Sequence, residues 1–283
     1  MTLAATVSNL RASRQLCLIY LLAALSHGCA GRLPAASKPF DRALVLNGHS
    51  LTVHFANAGT EGTRPLIVYT TGDGGWARKD LAFYRQIVSW GYPVAGFSAT
   101  DYVKHLPRES DTTTPGRLGR DYDAIIAFAK ERLGTAADRP VVLVGVSRGA
   151  GLSVVAAGQR RVRAQIAGVV AVALTKEEEY VRWFGLRRRP ARGRRAREPV
   201  MLQVYEYLPL LGTLPLAVVQ SSHDNYLPAT AARRLFGADS GTRRFNTIEA
   251  RNHSFSGARD KMYDAVHAAL RWINGLLYSE DTR

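Results

Sequence analysis

The sequence contains very little cysteine, and none of it lies in the bulk of the chain. Cys17 and Cys29 are the only two among 283 residues, and both lie within the first thirty. The rest of the chain therefore cannot form a disulfide bond or a thiolate metal site. The histidine spacings H-x-x-x-H and H-E-x-x-H are also missing, and they are typical of metal-binding helices. We therefore predict no metal centre.

Long apolar runs are scarce as well. The most apolar run, LCLIYLLAAL at residues 16–25, has ten residues, whereas a membrane-spanning helix needs about 20. Arg11 and Arg14 precede this run, and the small residues of SHGCAG follow it, as in an export signal. We predict that residues 1–30 are the signal peptide of an exported protein. The alternative is an uncleaved N-terminal anchor.

Cys29 follows Gly28 at the end of this signal, which resembles a bacterial lipoprotein acylation site. Such sites usually have Leu three residues before the cysteine, whereas this chain has Ser26 there. Two outcomes stay open: lipidation of Cys29, which would anchor the protein to the membrane, or simple cleavage near Ala30. The following residues 31–41, GRLPAASKPFD, are predicted to be a polar linker.

Acidic residues are few relative to basic ones. The chain has 38 Lys and Arg against 23 Asp and Glu, for a net charge of +15. Much of this excess lies in Arg187–Arg197, RRRPARGRRAR, which holds seven Arg and no acid. Aromatic residues are not interleaved with these charges as in a nucleic-acid-binding module, so no nucleic-acid partner is predicted. The segment is either a solvated loop or a surface for anionic phospholipid headgroups.

Apolar runs rich in β-branched residues alternate with amphipathic stretches along the rest of the chain. Strands are predicted at 42–47, 50–56, 64–71, 92–98, 139–146, 164–174, 214–221 and 242–250, and helices at 79–90, 119–133, 148–160 and 260–277. Buried strands that alternate with helices predict a mostly parallel central sheet flanked by helices, in a single α/β domain at 42–283. Residues 175–213 break the alternation and are predicted to be an inserted cap or loop.

The sequence G-V-S-R-G at residues 145–149 fits the G-x-S-x-G nucleophile elbow. Glycines two residues on either side of the serine leave room for a strained turn that exposes the serine hydroxyl. The pentapeptide alone is a weak signal, but here it lies between a buried strand and a helix, which is the context that the elbow requires. We predict that Ser147 is a nucleophile rather than an ordinary turn serine.

A serine hydroxyl needs a base, and the base needs an acid to orient it. In this type of fold the three follow in the order serine, acid, histidine. His253 lies after the last predicted strand and is the candidate base; Asp224 lies after the strand before it and is the candidate acid. The alternatives are a loop histidine and an aspartate that only stabilises the turn before Pro228. The reserve acids are Glu177, Glu178 and Glu179.

The backbone N–H of Arg148 is one expected donor to an oxyanion, since it follows the nucleophile. The second donor is assigned to Asp73 or Gly74, in the glycine-rich turn TTGDGGWA at residues 70–77. The alternative is a tight turn whose glycines only reverse the chain. The turn is not a phosphate-binding loop because no G-K-[ST] follows it, and no cofactor is predicted.

The stretch LIVYTTGDGGWARKDLAFYRQIVSWGYPVAGFSATDY is similar to the start of the bacterial VirJ/AcvB virulence-protein family, in the α/β-hydrolase superfamily. The shared features are a [ST]-G-D-G-G-W turn, a following Asp and a G-x-P-V-x-G strand, and the resemblance runs from about residue 64 to 275. Gly72, Gly75 and Trp76 of this turn are expected to bind substrate. Arg148 departs from the family, which usually has an aromatic residue after the serine.

The resemblance implies an exported, periplasmic serine esterase that hydrolyses the aminoacyl ester of aminoacyl-phosphatidylglycerol, notably lysyl-phosphatidylglycerol. It also implies links to virulence and, in some members, to secreted proteins or secretion machinery. The export signal, the possible lipid anchor and the basic segment Arg187–Arg197 predict a membrane surface as partner. Two alternatives stay open. One is a generic lipase or carboxylesterase with another ester substrate, and the other is a periplasmic interaction factor that keeps the hydrolase fold without catalysis.

Overall fold

An eight-stranded sheet forms the centre of the computed structural model, which describes residues 37–57, 64–104, 115–179 and 201–279. The predicted signal peptide with Cys29, and the segment Arg187–Arg197, lie outside these residues. The strands are β1 Ser37–Leu46, β2 His49–Asn57, β3 Leu66–Thr70, β4 Val94–Phe97, β5 Val141–Val146, β6 Gly168–Val172, β7 Glu177–Glu179, β8 Met201–Gln203, β9 Leu216–Ser221 and β10 Arg243–Ile248. The sheet has the order β1-β2-β4-β3-β5-β6-β9-β10. Strand β2 is antiparallel to both of its neighbours, and the other pairs are parallel. The predicted mostly parallel sheet is confirmed.

Helices cover both faces of this sheet. They are α1 Arg78–Ser89, α2 Ala99–Lys104, α3 Pro115–Leu133, α4 Arg148–Gly158, α5 Arg160–Arg163, α6 Ala229–Phe236 and α7 Arg259–Ser279. Successive side chains of a strand point to opposite faces. Leu143 of β5 accordingly packs in the cluster that contains helices α3 and α4, and Val142 packs in the cluster that contains α1 and α7. Each such fully buried side chain stabilises the fold by about 1.5–3 kcal/mol.

The first two strands form the predicted hairpin around Gly48. Asn47 and Gly48 have φ of 54° and 81°, and a two-residue type I′ turn requires positive φ at both positions. Strand β1 begins at Ser37, however, so the prediction of a linker was wrong for residues 37–41. Phe40 pairs with Phe55 across the hairpin, and their rings stack 5.1 Å apart. This apolar contact outweighs the polar composition of the segment.

The described part of the predicted insertion is small and packs on helix α4. Strands β7 and β8 pair antiparallel, and two short 3₁₀ helices follow, Val204–Tyr207 and Pro209–Leu211. A Cβ added at Gly151 of α4 would meet the Glu178 side chain at 2.2 Å and the Val204 side chain at 3.3 Å. Glycine therefore allows these residues to pack directly against the helix backbone.

The carboxyl ends of the parallel strands meet at one edge of the sheet, where ligands bind in open α/β folds. Ser147 follows β5, Asp224 lies shortly after β9, and His253 lies shortly after β10. Within the described ranges, no helix is long and apolar enough to cross a membrane. No group of three His, Cys, Asp or Glu residues in the same ranges is arranged to hold a metal ion.

Candidate active site

Ser147 lies in a strained turn between strand β5 and helix α4. Its φ of 52° and ψ of −117° lie in a region that non-glycine residues rarely occupy. A Cβ added at Gly145 would meet the Gly149 carbonyl oxygen at 2.2 Å, and one added at Gly149 would meet the Thr70 carbonyl oxygen at 2.2 Å. Both glycines are therefore required for steric reasons, as the elbow motif predicts. Holding a residue in such a conformation costs about 1–3 kcal/mol, which is typical of functional sites.

His253 is directed at this serine from the loop after β10. Its Nε2 lies 2.8 Å from Ser147 Oγ. The loop is shaped by Asn252, whose side-chain oxygen accepts hydrogen bonds from the backbone N–H groups of Ser254, at 3.0 Å, and Ser256, at 3.2 Å. These bonds fix the short turn that carries the imidazole ring.

Asp224 contacts the other nitrogen of the same ring and is almost fully buried, with 1% exposure. Its Oδ2 lies 2.7 Å from His253 Nδ1 and accepts a bond from the Gln220 amide at 3.0 Å. Its Oδ1 accepts from the backbone N–H groups of Tyr226, at 2.8 Å, and Leu227, at 3.2 Å. Asp224 therefore both stabilises the turn and orients the histidine, which were the two alternatives left by the sequence. Donation from Nδ1–H to the carboxylate leaves Nε2 free to accept the serine proton.

The reserve acids are arranged differently. Glu177 is exposed, and Glu178 is buried against α4 and pairs with Arg148. The side chain of Glu179 lies outside the described residues. The carboxylate that contacts His253 is that of Asp224.

The glycine-rich turn after β3 lies against the nucleophile elbow. A Cβ added at Gly72 would lie 3.4 Å from Ser147 Cβ, so the turn passes directly beside the serine. The N–H of Gly72 donates to Asp80 Oδ1 at 3.2 Å. Asp73 and Gly74 are the exposed residues of the turn and line the same cavity as Ser147. The structure thus brings the predicted oxyanion residues Arg148, Asp73 and Gly74 to the serine.

Asp80 fixes the glycine-rich turn by accepting a hydrogen bond from it. Its Oδ1 accepts from the Tyr69 hydroxyl at 3.0 Å as well as from Gly72, and its Oδ2 has no partner among the described residues. Burial raises the pKa of Asp80, although both of these hydrogen bonds lower it. The aspartate that follows the G-D-G-G-W turn in the sequence is therefore a support for the turn.

A cavity of about 300 Å³ opens over Ser147 and His253. Phe83, Met262 and Tyr263 form an apolar wall, and the exposed residues Lys79 and Arg259 also line the cavity. The residues of 175–179 and 201–213 are not among those that line it. The described part of the predicted insertion packs on α4 instead.

Two of the three residues predicted to bind substrate do not line the cavity. Gly72 lines it, but Gly75 and Trp76 do not. Trp76 stacks on His54 with ring centroids 4.0 Å apart and packs edge-on against Tyr84 at 5.1 Å. Gly75 has a φ of 62°, and a Cβ there would lie 3.1 Å from Ser98 Oγ. These two residues fix the turn against strands β2 and β4 and helix α1, and their contact with substrate stays a prediction.

The side chain of Arg148 was missed as a functional group by sequence reasoning. It is buried, with 6% of the side chain exposed, and it pairs through Nε with Asp73 Oδ1. Its Nη1 lies 4.0 Å from Glu178 Oε2. Burial raises the pKa of Glu178 to about 7, while a hydrogen bond from the Thr175 hydroxyl and the charge of Arg148 lower it. The sequence did contain a signal for this role. Arginine stands at a position where the VirJ/AcvB family usually has an aromatic residue, and the turn after β3 carries an aspartate that can pair with it.

Comparisons with known proteins give one family match. The family model described as bacterial virulence protein (VirJ) matches residues 65–189, which include the G-D-G-G-W turn and Ser147 but not Asp224 or His253. The predicted resemblance is confirmed over that range. No curated protein matches the chain.

Three solved structures are similar in fold to this chain. Est1E from Butyrivibrio proteoclasticus matches with a TM-score of 0.57 and 12% identity, over 86% of this chain and 99% of that chain. A putative dienelactone hydrolase from Klebsiella pneumoniae subsp. pneumoniae matches with a TM-score of 0.58 and 15% identity, over 84% and 98%. The esterase domain of a Rhodothermus marinus protein matches with a TM-score of 0.57 and 16% identity, over 84% and 98%. The chain is therefore a protein of α/β-hydrolase fold whose residues 65–189 match the VirJ family of bacterial virulence proteins.

Proposed function

We propose that the chain is an exported serine esterase. The observation that supports this most strongly is the hydrogen-bonded series from Asp224 through His253 to Ser147, with distances of 2.7 Å and 2.8 Å. A nucleophile and base within hydrogen-bond reach, with the base oriented by a third group, is the arrangement that activates a serine hydroxyl. The esterases and the dienelactone hydrolase that share the fold are hydrolases, which agrees with this proposal.

The reaction follows from the positions of these groups. Ser147 Oγ attacks the ester carbonyl carbon, and its proton passes to His253 Nε2. The negative charge that develops on the carbonyl oxygen is stabilised by N–H groups of Arg148 and of the Asp73–Gly74 turn, and by the N-terminus of α4. His253 then gives the proton to the departing alcohol, which leaves an acyl-serine. A water molecule, deprotonated by the same imidazole, attacks the acyl-serine. The imidazolium then returns this proton to Ser147 Oγ as the acid is released.

The proposed substrate is the aminoacyl ester of an aminoacyl-phosphatidylglycerol, which is the activity that the VirJ/AcvB resemblance implies. The cavity offers Lys79 and Arg259 for the phosphodiester of such a molecule. Asp73 also lines the cavity, but its carboxylate already pairs with Arg148. Neither Lys79 nor Arg259 forms an ion pair with another described residue. A short export signal at residues 1–30, with or without lipidation of Cys29, would bring the enzyme to the membrane that contains this lipid.

Labelling with a fluorophosphonate probe tests the activated serine. We expect the purified protein to be labelled and Ser147→Ala to stay unlabelled, with His223→Ala as a control because that exposed histidine is next to Asp224 but is not part of the series. The substrate is then tested with vesicles that contain lysyl-phosphatidylglycerol, by measuring released lysine. A folded protein that is not labelled would contradict the esterase proposal, while labelling without release of lysine would contradict only the substrate.

The labelling assay also distinguishes an esterase from a non-catalytic interaction factor. That alternative assigns the basic segment Arg187–Arg197 to partner contact, and the segment lies outside the described residues. Deletion of residues 187–197 should leave the hydrolysis of a soluble ester intact if the proposed site is complete without them. Loss of a partner together with a wild-type protein that fails to label would favour the interaction factor.

A further inference from the structure

We propose that the Arg148 side chain is a positioning residue that clamps the Gly72–Gly75 turn to the nucleophile elbow. Its backbone N–H and an N–H of the turn are the two oxyanion donors of the proposed esterase, so the inference rests on that proposed function. The clamp would keep the two donors at a fixed separation and would neutralise the Asp73 charge beside the oxyanion.

The geometry of the ion pair supports the clamp. Arg148 is the first residue of α4 and directly follows the nucleophile, whereas Asp73 lies on the turn after β3, 75 positions away in the chain. The guanidinium group is buried and pairs with the Asp73 carboxylate. The Asp73 side chain is 49% exposed, so only the guanidinium side of the pair is buried. Breaking the pair would leave that buried guanidinium group without the carboxylate of Asp73, which restricts Arg148 more than a fully exposed pair would. The pair therefore links the two sides of the site across the sheet edge.

Two hydrogen bonds of the turn lead away from the elbow. Gly72 N donates to Asp80 of α1, and the Thr100 hydroxyl of α2 donates to the Asp73 carbonyl oxygen at 2.8 Å. These bonds fix the turn to the helices behind it. The pair between Arg148 and Asp73 is the contact that ties the exposed tip of the turn to the residue beside Ser147.

Glu178 supports the guanidinium group from the opposite side. It is buried against Gly151 of α4, and its carboxylate lies 4.0 Å from Arg148 Nη1. The Thr175 hydroxyl donates to Glu178, so the carboxylate is itself held in place. Arg148 is therefore fixed between two carboxylates, one on the oxyanion turn and one on β7.

The charge of Asp73 gives the clamp an electrostatic role as well. A carboxylate on the oxyanion turn would oppose the negative charge that develops on the substrate oxygen. Arg148 compensates that carboxylate with a guanidinium group that is itself buried. Removing the guanidinium group should therefore weaken transition-state stabilisation more than substrate binding, because the oxyanion exists only after attack.

The test compares four variants on a soluble nitrophenyl ester. Arg148→Met keeps the backbone N–H and removes the guanidinium group, so we expect kcat to fall about 10- to 100-fold with little change in KM, which is less than the loss of an oxyanion donor itself would cost. Asp73→Asn should have a smaller effect, and the double variant should be no worse than Arg148→Met alone. Arg148→Lys should recover part of the rate. Arg117→Met is the matched control, since Arg117 is another buried arginine near a carboxylate, on α3 and outside the cavity.

Amide hydrogen exchange of residues 72–75 tests the clamp independently of esterase activity. We expect exchange in the turn to be at least about tenfold faster in Arg148→Met than in the wild type, with other segments unchanged. An active wild type with an equally active Arg148→Met, or unchanged exchange in the turn, would overturn the clamp and leave the esterase proposal intact. A wild type that neither hydrolyses esters nor reacts with the probe would overturn the esterase proposal, and the exchange result would still decide whether Arg148 holds the turn.

Discussion

Ser147 and His253 are 106 positions apart in the chain, yet Ser147 Oγ lies 2.8 Å from His253 Nε2. Each residue follows a parallel strand, and the carboxyl ends of these strands meet at one edge of the sheet. The hydrogen bond therefore results from the topology of the sheet as much as from the loops that carry the two residues. His253 is in turn fixed by Asp224, so the three groups are in contact before any substrate binds.

Replacing Asp224 by asparagine should lower activity strongly while the fold survives. The asparagine oxygen can still accept the bonds from the N–H groups of Tyr226 and Leu227, but an amide cannot stabilise the protonated imidazole as a carboxylate does. We expect kcat to fall by about 10³- to 10⁴-fold. The measurement is steady-state hydrolysis of a soluble ester beside a thermal melt. Asp224→Ala should in addition lower the melting temperature, because the two backbone N–H groups lose their acceptor; equal activity of Asp224→Asn and wild type would exclude the assigned role.

Much of this site follows from local patterns in the sequence. Glycine spacing around Ser147 requires an elbow, and the positions of Asp224 and His253 directly after predicted strands place them at one sheet edge. The side-chain direction of Arg148 does not follow from its neighbours, because it depends on Asp73 and Glu178 from two other elements. The packing of Trp76 does not follow from its neighbours either, because its environment is formed by His54 of β2 and Tyr84 of α1. Helix α6 and the β7–β8 pair were missed because they are short, with eight residues in the helix and three in each strand.

Adding one methyl group to either elbow glycine should destabilise the protein. In Gly149→Ala the new Cβ would lie 2.2 Å from the Thr70 carbonyl oxygen, and in Gly145→Ala it would lie 2.2 Å from the Gly149 carbonyl oxygen. Backbone atoms cannot move away as a flexible side chain can, so we expect a loss of about 3 kcal/mol or more in the free energy of unfolding. Denaturant unfolding measures this loss.

Gly275→Ala is the matched control for these two variants. Gly275 lies inside α7, and a Cβ there would have open space around it. Alanine in a helix interior stabilises by about 0.5–1 kcal/mol relative to glycine. The opposite signs of the two effects would identify steric contact, rather than the general cost of a methyl group, as the cause. An elbow variant as stable as the wild type would contradict the described packing.

Glu178 should make the stability of the fold depend on pH. Its pKa is raised from an ordinary value of 4.5 to about 7 in the folded protein, so the folded state binds the proton more tightly than the unfolded state. The resulting stabilisation is fully present below about pH 4.5 and is lost as the pH rises to about 7. At about 1.4 kcal/mol per pH unit, the loss amounts to at most about 3 kcal/mol.

Glu178→Gln tests this dependence because it keeps the shape of the side chain without its titration. The free energy of unfolding of the variant, relative to the wild type, should rise between pH 5 and pH 8 by up to the same amount. Glu177→Gln is the control, since the neighbouring Glu177 is exposed. A difference between Glu178→Gln and wild type that stays constant from pH 5 to pH 8 would exclude a raised pKa for Glu178.

Lys79 and Arg259 should select substrates that carry a phosphate. Both line the cavity above Ser147, and each lies in the first turn of a helix, α1 and α7. The stacked rings of Phe83 and Tyr263, with centroids 5.3 Å apart, hold these two helices together. His253 gives its proton to the departing alcohol, so the alcohol must lie on the side of the cavity next to His253. Arg259 lies only six residues further along the chain, which favours contact with a phosphate on that alcohol.

The double variant Lys79→Gln/Arg259→Gln tests this selection. Its control is Arg78→Gln/Lys261→Gln, which removes two exposed charges from the same helices but outside the cavity. With a soluble aminoacyl ester of glycerol phosphate, we expect kcat/KM to fall about tenfold or more in the first variant only, as for the loss of one good charge-assisted contact. With the matching aminoacyl ester of glycerol, which lacks the phosphate, both variants should act like the wild type. The difference should shrink at high salt, because screening weakens contacts between exposed charges. An equal loss on both esters would mean that Lys79 and Arg259 support the site rather than recognise phosphate.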